Sequence, residues 1–140
     1  QELTCYLETF KQTDLFLKKV IEKLEKLGSY SLIYLSDHGL QHYYTGKNNL
    51  SLRVGSEFQE SFHVPLIKIS SDDTQQTRIE AQRSGMFFIN AFAEWLGIEE
   101  KSLKLPYSFF SNQIDNEPVK VFDWKNYILF DSLASDAAKK

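Results

Sequence analysis

The sequence predicts an α/β protein: a sheet with flanking helices and a small terminal hairpin. Three observations predict it: an amphipathic segment over residues 6–27, two short apolar runs typical of buried strands, and two apolar stretches near the C-terminus separated by Asp123-Trp124-Lys125-Asn126. The chain has 140 residues, of which 42% are hydrophobic and 25% charged, a composition typical of globular domains. We therefore expect a folded chain with its own core.

The charge and cysteine content exclude several classes of function. A net charge of −3 provides no basic surface for a nucleic acid. The single cysteine, Cys5, excludes an internal disulfide and a Cys-x-x-Cys metal site. The apolar stretch 85–98 is interrupted by Asn90 and Glu94 and is shorter than the ~20 residues of a membrane span, and no signal-peptide pattern begins the chain. We expect a soluble chain that binds no nucleic acid.

The first predicted element is a helix over residues 6–27, followed by Gly28, which suits the left-handed position after a helix. One face of this helix is expected to pack on the sheet, because apolar residues recur at steps of three and four. They are Phe10, Leu17, Val20, Ile21, Leu24 and Leu27.

Two strands are predicted, at 31–35 and 64–70, with Pro65 near the start of the second. The continuous apolar run at 31–35 is typical of a strand buried on both faces of a parallel sheet. Residues 40–62 show no periodicity and are predicted to be loops. Their loop-forming residues are Gly46, Asn48, Asn49 and Gly55.

The second half of the chain predicts a helix and a hairpin. Ser84 suits the N-cap of a helix that ends at Gly97, and residues 119–122 and 127–130 suit a hairpin. Asp72 and Asp73 are expected to initiate a turn. The predicted apolar face of the helix comprises Phe88, Ile89, Phe92, Trp95 and Leu96, and the aromatic residues expected in the core include Tyr107, Phe109 and Phe110.

The residues expected to bind a ligand or metal are Asp37 and His38, which follow the strand 31–35 after Ser36. In open α/β sheets, ligands bind beyond the carboxyl ends of the strands. A carboxylate and an imidazole can both bind a divalent ion such as Zn or Mn, provided that the turn at Gly39 directs both side chains to one point. The alternative is that Asp37 caps a turn and His38 is merely solvated.

The order of these motifs resembles the alkaline phosphatase and sulfatase superfamily, and more narrowly the membrane-anchored phosphoethanolamine transferases that modify bacterial lipopolysaccharide. The resemblance covers residues 6–135. It is carried by Tyr6 and Thr13-Asp14 in the first helix, by Ile33-Tyr34-Leu35-Ser36-Asp37-His38-Gly39, by His63-Val64-Pro65-Leu66-Ile67, by Ser70-Ser71-Asp72-Asp73, and by Phe92-Ala93-Glu94-Trp95-Leu96-Gly97-Ile98.

The resemblance implies that residues 1–140 are one partial domain, the C-terminal portion of an alkaline-phosphatase-like catalytic domain. It implies that Asp37 and His38 bind zinc, or another divalent metal, in a site that is incomplete in this chain. The remaining ligands and the threonine nucleophile are expected upstream, so no catalytic nucleophile is assigned here, and the isolated chain is expected to be inactive.

Three further residues are candidates for binding the substrate: His42, Arg53 and His63. The family has a phosphate-contacting His in a His-Gly step on the loop after the metal pair, and the equivalent step here is Val54-Gly55. His42 or Arg53 could replace that contact. The alternative is that His42 and His63 are solvated loop residues.

The implied activity is metal-dependent transfer of phosphoethanolamine from a phospholipid to lipopolysaccharide. The parent protein is then expected in the bacterial inner membrane with its catalytic domain in the periplasm. The isolated chain is expected to form homo-oligomers through an exposed strand edge and apolar helix faces. Two alternatives stay open: a sulfatase or phosphodiesterase of the same superfamily, and a non-catalytic interaction module on this scaffold.

Overall fold

The computed structural model describes residues 2–45 and 49–136. The chain forms two compact units, one comprising Gln1–Gln76 with Ser135–Lys140 and the other Thr77–Ala134. We refer to them as unit 1 and unit 2. The expected loop residues Gly46 and Asn48 lie outside the described residues.

Unit 1 begins with the predicted helix, α1, at Glu2–Glu25. The later positions of its apolar stripe are partly buried while the charged residues between them are exposed, as the periodicity predicts. Phe10 is 50% exposed and Leu27, beyond the helix end, is 84% exposed, so neither packs as expected. Gly28 has φ +115°, the left-handed conformation that the sequence predicts for it.

The two predicted strands pair with each other, but in antiparallel orientation. Strand β1, Ser31–Leu35, aligns with Leu66–Ser70 so that Ser31 faces Ser70 and Leu35 faces Leu66. The expected parallel sheet is therefore wrong for this pair, as is burial on both faces, since β1 is only partly buried. A continuous apolar run indicates a strand but carries no information about the direction of its partner.

Residues 40–62, expected to be loops, contain a hairpin. Its strands are β2, Gln41–Thr45, and β3, Asn49–Arg53, paired antiparallel with Tyr43 opposite Ser51; the later strand at Leu66–Ser70 is β4. The sequence of β2 lacks the apolar-polar alternation by which a half-buried strand is recognised, because its side chains are polar or aromatic throughout. A short 3₁₀ turn follows at Gln59–Ser61.

Unit 2 is built around the short helix α2, Phe88–Leu96. Ser84 caps the 3₁₀ turn that leads into it, accepting a hydrogen bond from the backbone of Met86, and Gly97 closes the helix with φ +70°. Both end signals are confirmed. The predicted apolar face is wrong in part, because Ile89, Leu96 and Phe92 are 63%, 52% and 40% exposed.

The core of unit 2 forms instead on the small residues of α2. Ala91 is fully buried against Tyr107 and Phe109, as part of a cluster that also includes Phe110. An alanine methyl lets aromatic rings approach the helix backbone closely, which a larger side chain would prevent. The expectation that these three aromatic residues are core residues is confirmed.

The terminal hairpin is confirmed, with strands β5 at Lys120–Phe122 and β6 at Tyr127–Leu129. Asp123 organises its turn by accepting hydrogen bonds from the backbone N–H groups of Lys125 and Asn126. The Asn126 bond and the Lys125 bond hold the pKa of the Asp123 carboxyl below its usual value. Among residues 2–45 and 49–136, no helix is both long and apolar enough to cross a membrane.

Candidate active site

The turn after β1 carries the two predicted metal ligands, Asp37 and His38. The Ser36 hydroxyl donates to the His38 carbonyl at 2.8 Å, and the His38 N–H donates to Asp37 Oδ1 at 3.0 Å. These short-range hydrogen bonds are what turn the chain sharply out of the strand. The two side chains consequently face each other, with 3.8 Å between Asp37 Oδ2 and His38 Nε2.

The His38 ring is oriented as a metal-binding imidazole usually is. Its Nδ1 lies 3.0 Å from the Gly39 carbonyl oxygen. Because a carbonyl can only accept, this contact requires the proton on Nδ1, and in the neutral ring the lone pair is then on Nε2, the atom facing Asp37. A histidine that binds a metal through Nε2 typically donates its other N–H to a carbonyl or carboxylate in this way.

The separation of the two donor atoms also suits a shared ion. Zinc ligands lie about 2.0–2.2 Å from the metal, so one ion could contact both atoms across 3.8 Å. The site is open, since the Asp37 side chain is 88% exposed. Within the described ranges, no group of three or more His, Cys, Asp or Glu side chains is arranged to hold a metal. The described residues thus fit part of a metal site.

Gly39 fixes this turn against the segment that follows the β2–β3 hairpin. Its N–H donates to the Ser61 carbonyl at 2.8 Å. A Cβ atom at Gly39 would overlap the carbonyl oxygen of Glu60. The position therefore requires glycine, because two backbone segments meet there without room for a side chain.

The buried side chain of Gln41 joins the same two segments. Its Oε1 accepts from the Ser61 hydroxyl at 2.6 Å and its Nε2 donates to the Glu57 carboxylate. Gly55 packs directly on this amide, since a Cβ there would lie 2.6 Å from Gln41 Nε2. The Val54-Gly55 step thus has a glycine that this close packing requires.

Arg53 is held by two contacts at the end of β3. Its guanidinium donates to Glu57 Oε1 at 2.9 Å and lies over the Tyr43 ring at 4.7 Å. The Gln41 hydrogen bond, followed by backbone hydrogen bonds and the Arg53 charge, outweighs the opposing effect of desolvation and lowers the pKa of the Glu57 carboxyl. The cationic group is thereby held in one orientation while its side chain stays 45% exposed.

His42, another substrate-binding candidate, is paired with Asp136, a residue that the sequence analysis did not identify. Its Nδ1 and its backbone N–H each lie 2.8 Å from Oδ2 of Asp136. Asp136 is fully buried, and its own N–H donates to Glu60 at 2.9 Å. Because 94 residues separate His42 from Asp136, no local sequence signal predicts this pair.

His63, the third candidate, lies after the 3₁₀ turn at Gln59–Ser61. Its N–H donates to the Gln59 carbonyl at 3.0 Å and its side chain is exposed. Its role in binding the substrate stays a prediction. Asp73 accepts from the Ser70 N–H at 2.8 Å, as expected of a turn-forming residue.

Replacing Gln41 with leucine tests the role of its amide. We expect the pKa of Glu57 to rise toward its ordinary value, because the hydrogen bond that contributes most to lowering it is lost. The unpaired Ser61 hydroxyl should also cost about 1–3 kcal/mol of stability. A carboxyl ¹³C NMR titration measures the first effect and denaturant unfolding measures the second.

The sign of the accompanying pH dependence follows from the direction of the shift. A lowered pKa in the folded state stabilises the protein above the unfolded-state pKa, and this contribution disappears as the pH falls through the folded-state value. The wild type should therefore lose this stabilisation on acidification, whereas Gln41→Leu should already lack the part that the Gln41 hydrogen bond contributes. An unchanged Glu57 titration in the variant would contradict the assignment.

The sequence is similar to a known protein family over a range that includes the Asp37-His38 turn. The family model described as Sulfatase matches residues 1–98. The chain is 40% identical over 114 residues to "Phosphoethanolamine transferase OpgE" of Escherichia coli (strain K12), a match that covers 81% of this chain and 22% of that protein. No solved structure gives a significant match.

A second relative gives a shorter match. The chain is 47% identical over 45 residues to "Putative phosphoethanolamine transferase" of Haemophilus influenzae (strain ATCC 51907 / DSM 11121 / KW20 / Rd), covering 29% of this chain and 9% of that protein. The chain thus spans about a fifth or less of the length of these two relatives. Since the family model covers more than half of the chain, including the Asp37-His38 turn, the chain belongs to the sulfatase family.

Proposed function

We propose that the chain forms part of the active site of a phosphoethanolamine transferase. The observation that carries the proposal is the geometry of the Asp37-His38 turn, in which a carboxylate oxygen and the Nε2 atom of an imidazole face each other across 3.8 Å. The similarity to two proteins named as phosphoethanolamine transferases supports the choice of reaction.

Asp37 and His38 would hold a zinc ion, or another divalent ion, with further ligands from outside the described residues. When bound, such an ion supplies positive charge that stabilises the negative phosphoryl oxygens. Asp37 offers Oδ2, while the bond from the His38 N–H to Oδ1 keeps the carboxylate in place. In this proposal the described residues supply metal binding and substrate orientation, and none of them is the nucleophile.

Arg53 would contribute a second positive charge to phosphate binding. The guanidinium has five N–H donors in a fixed plane, so the contact with Glu57 leaves donors for a phosphoryl oxygen. Its position over Tyr43 reduces the rotamer freedom that binding would otherwise remove. His63, which lies just before β4, is the weaker candidate.

The donor would be a phospholipid that carries phosphoethanolamine, and the acceptor a sugar hydroxyl of lipopolysaccharide. The parent protein would then work at the periplasmic side of the bacterial inner membrane. Self-association is part of the proposal, because α1 carries apolar side chains that are at least half exposed. They are Leu7, Phe10, Leu15 and Phe16.

Asp37→Asn and His38→Ala test the proposed metal site in the protein at its full natural length. Each variant should lose at least half of the bound zinc, and its transferase rate should fall by ~10²–10³-fold. The reason is that an open site with few ligands binds its metal much more weakly when one ligand is removed. Zinc is measured by mass spectrometry of the purified protein, and transfer with a phosphatidylethanolamine donor and lipopolysaccharide.

The matched control is Asp131→Asn, an exposed aspartate in unit 2. It should retain the zinc content and rate of the wild type. Unchanged zinc and rate in both site variants would contradict the proposal and favour a non-catalytic module. A lipid-free oligosaccharide acceptor that works as well as lipopolysaccharide would contradict the proposed acceptor alone.

Hydrolysis of a sulfate or phosphate ester is the second candidate, favoured by the match to the sulfatase family model over residues 1–98. The two reactions differ in what receives the transferred group. Water as the acceptor releases free phosphoethanolamine or sulfate, whereas transfer leaves the group on the sugar. Product analysis by mass spectrometry therefore distinguishes them, and release without sugar modification would favour the hydrolase.

A further inference from the structure

The pair formed by His42 and Asp136 has the geometry of a proton-accepting histidine with a positioning carboxylate. Asp136 Oδ2 receives both the backbone N–H and Nδ1 of His42, each at 2.8 Å. The side chain of Asp136 is 1% exposed and that of His42 is 17% exposed. A buried carboxylate therefore holds a histidine whose side chain is partly exposed.

These contacts determine which ring nitrogen can accept a proton. An ionised carboxylate only accepts hydrogen bonds, so His42 Nδ1 carries the proton and Nε2 has the lone pair. None of the hydrogen bonds described within residues 2–45 and 49–136 involves His42 Nε2. A proton accepted at Nε2 would place a cationic ring beside the Asp136 carboxylate, the arrangement of a histidine with a positioning aspartate.

The pair is also linked to the Asp37-His38 turn through the backbone. The N–H of Asp136 donates to Glu60 Oε2 at 2.9 Å. The next residue, Ser61, accepts from the N–H of Gly39 at 2.8 Å. His42 lies four residues after His38, so both ends of this short segment are fixed by the same 3₁₀ turn.

We propose that His42 Nε2 accepts the proton of the acceptor hydroxyl during group transfer, and that Asp136 positions and stabilises His42. This inference rests on the proposed function. The acceptor oxygen forms a new bond to phosphorus, the bond from phosphorus to the leaving oxygen breaks with its electron pair, and the hydroxyl proton moves to Nε2. Removing that proton makes the acceptor oxygen a better nucleophile.

The test compares His42→Gln, Asp136→Asn and the double variant in the protein at its full natural length. Each single variant should lower kcat by ~10²–10⁴-fold with KM within about twofold, since proton transfer acts in the transition state rather than in binding. The kcat of the double variant should lie within about threefold of the kcat of the slower single variant, because the two residues act as a unit.

A spectroscopic measurement distinguishes a purely structural role of Asp136 from the proposed role in positioning His42. In the 140-residue chain labelled with ¹⁵N-histidine, the signal assigned through His42→Gln should show the Nδ1-protonated tautomer in the wild type, and Asp136→Asn should weaken that preference. The chain has only three histidines, which makes the assignment direct. Thermal unfolding identifies any variant that fails to fold, and His42→Gln then provides the kinetic test, because glutamine can still donate to Asp136.

The outcomes separate the two proposals. A wild type that transfers phosphoethanolamine, with kcat unchanged in His42→Gln, overturns the inference and leaves the proposed function in place. An effect confined to KM, or an Nε2-protonated His42 in the wild type, also overturns it. A wild type without transfer activity overturns the proposed function and this inference together.

Discussion

Replacing Gly39 with alanine is expected to disrupt the Asp37-His38 turn and to destabilise the protein by about 2–3 kcal/mol. The added Cβ would overlap the carbonyl oxygen of Glu60 and lie 3.1 Å from its carbonyl carbon. Both neighbours are backbone atoms, which cannot move aside as a flexible side chain can. One of the two segments must therefore shift, and the bond from the Gly39 N–H to Ser61 should be lost with it.

The functional effect of Gly39→Ala should exceed its effect on stability. Asp37, His38 and His42 flank this contact, so a displaced backbone would separate groups whose geometry the proposed reaction requires. We expect at least a ~10²-fold loss of transferase rate, together with reduced zinc content. Denaturant unfolding, metal analysis and the transfer assay measure the three effects.

Gly85→Ala is the matched control for this experiment. Apart from Gly85 itself, its two chain neighbours and the backbone of its own helical turn, no described residue has a heavy atom within 4 Å of a Cβ at this position, and its φ is not in the positive region. The same substitution there should leave stability within about 0.5 kcal/mol and leave the rate unchanged. Equal behaviour of the two variants would show that the Gly39 contact does not constrain the turn.

Replacing Arg83 with methionine is expected to destabilise unit 2 by roughly 2–4 kcal/mol. Each hydrogen bond from a charged donor contributes about 1.5–3 kcal/mol. The total loss is smaller than the sum because some of the freed carbonyls can bind water instead. The guanidinium donates to four backbone carbonyls of the segment 108–113 and lies over the Tyr107 ring at 4.5 Å. The acceptors are the carbonyl oxygens of Phe109, Ser108, Ser111 and Gln113. This one side chain therefore organises the loop that covers α2.

Arg83→Lys should recover little of the lost stability. A lysine keeps the charge but offers a single ammonium group, which cannot match several carbonyls in the plane of a guanidinium. Arg78→Met is the control, because Arg78 is 85% exposed and its described ion pair is with Glu80 at the surface. Both tryptophans, Trp95 and Trp124, lie in unit 2, so tryptophan fluorescence during denaturant unfolding reports on this unit. Equal midpoints for Arg83→Met and Arg78→Met would contradict the assigned role.

Local patterns were sufficient for the elements that depend on local physics. The helix α1 follows from a three-to-four-residue apolar period, and α2 from Ser84 and Gly97 at its ends. The hairpin of β5 and β6 follows from two short apolar runs around a turn that Asp123 organises. Each of these signals lies within the element it predicts, so no tertiary contact is needed to recognise it.

Other features depend on contacts between distant residues. The polar strand β2 is defined by its pairing with β3 rather than by its own composition, and the antiparallel direction of β1 and β4 is set by how the intervening hairpin returns the chain. The buried face of α2 is decided by where Tyr107 and Phe109 pack, which an apolar pattern on the helix cannot specify.

The sequence by itself determined the family resemblance and the Asp37-His38 pair, because both are contiguous motifs whose meaning lies in adjacent residues. The resemblance made His42 and Arg53 candidates, from their residue types and their positions after that pair. Only the tertiary structure decided what those residues can do: Asp136 determines which nitrogen of His42 is protonated, and Glu57 with Tyr43 orients Arg53. The physical reason is that a side chain's protonation and orientation depend on its neighbours in space, and for His42 that neighbour is 94 residues away.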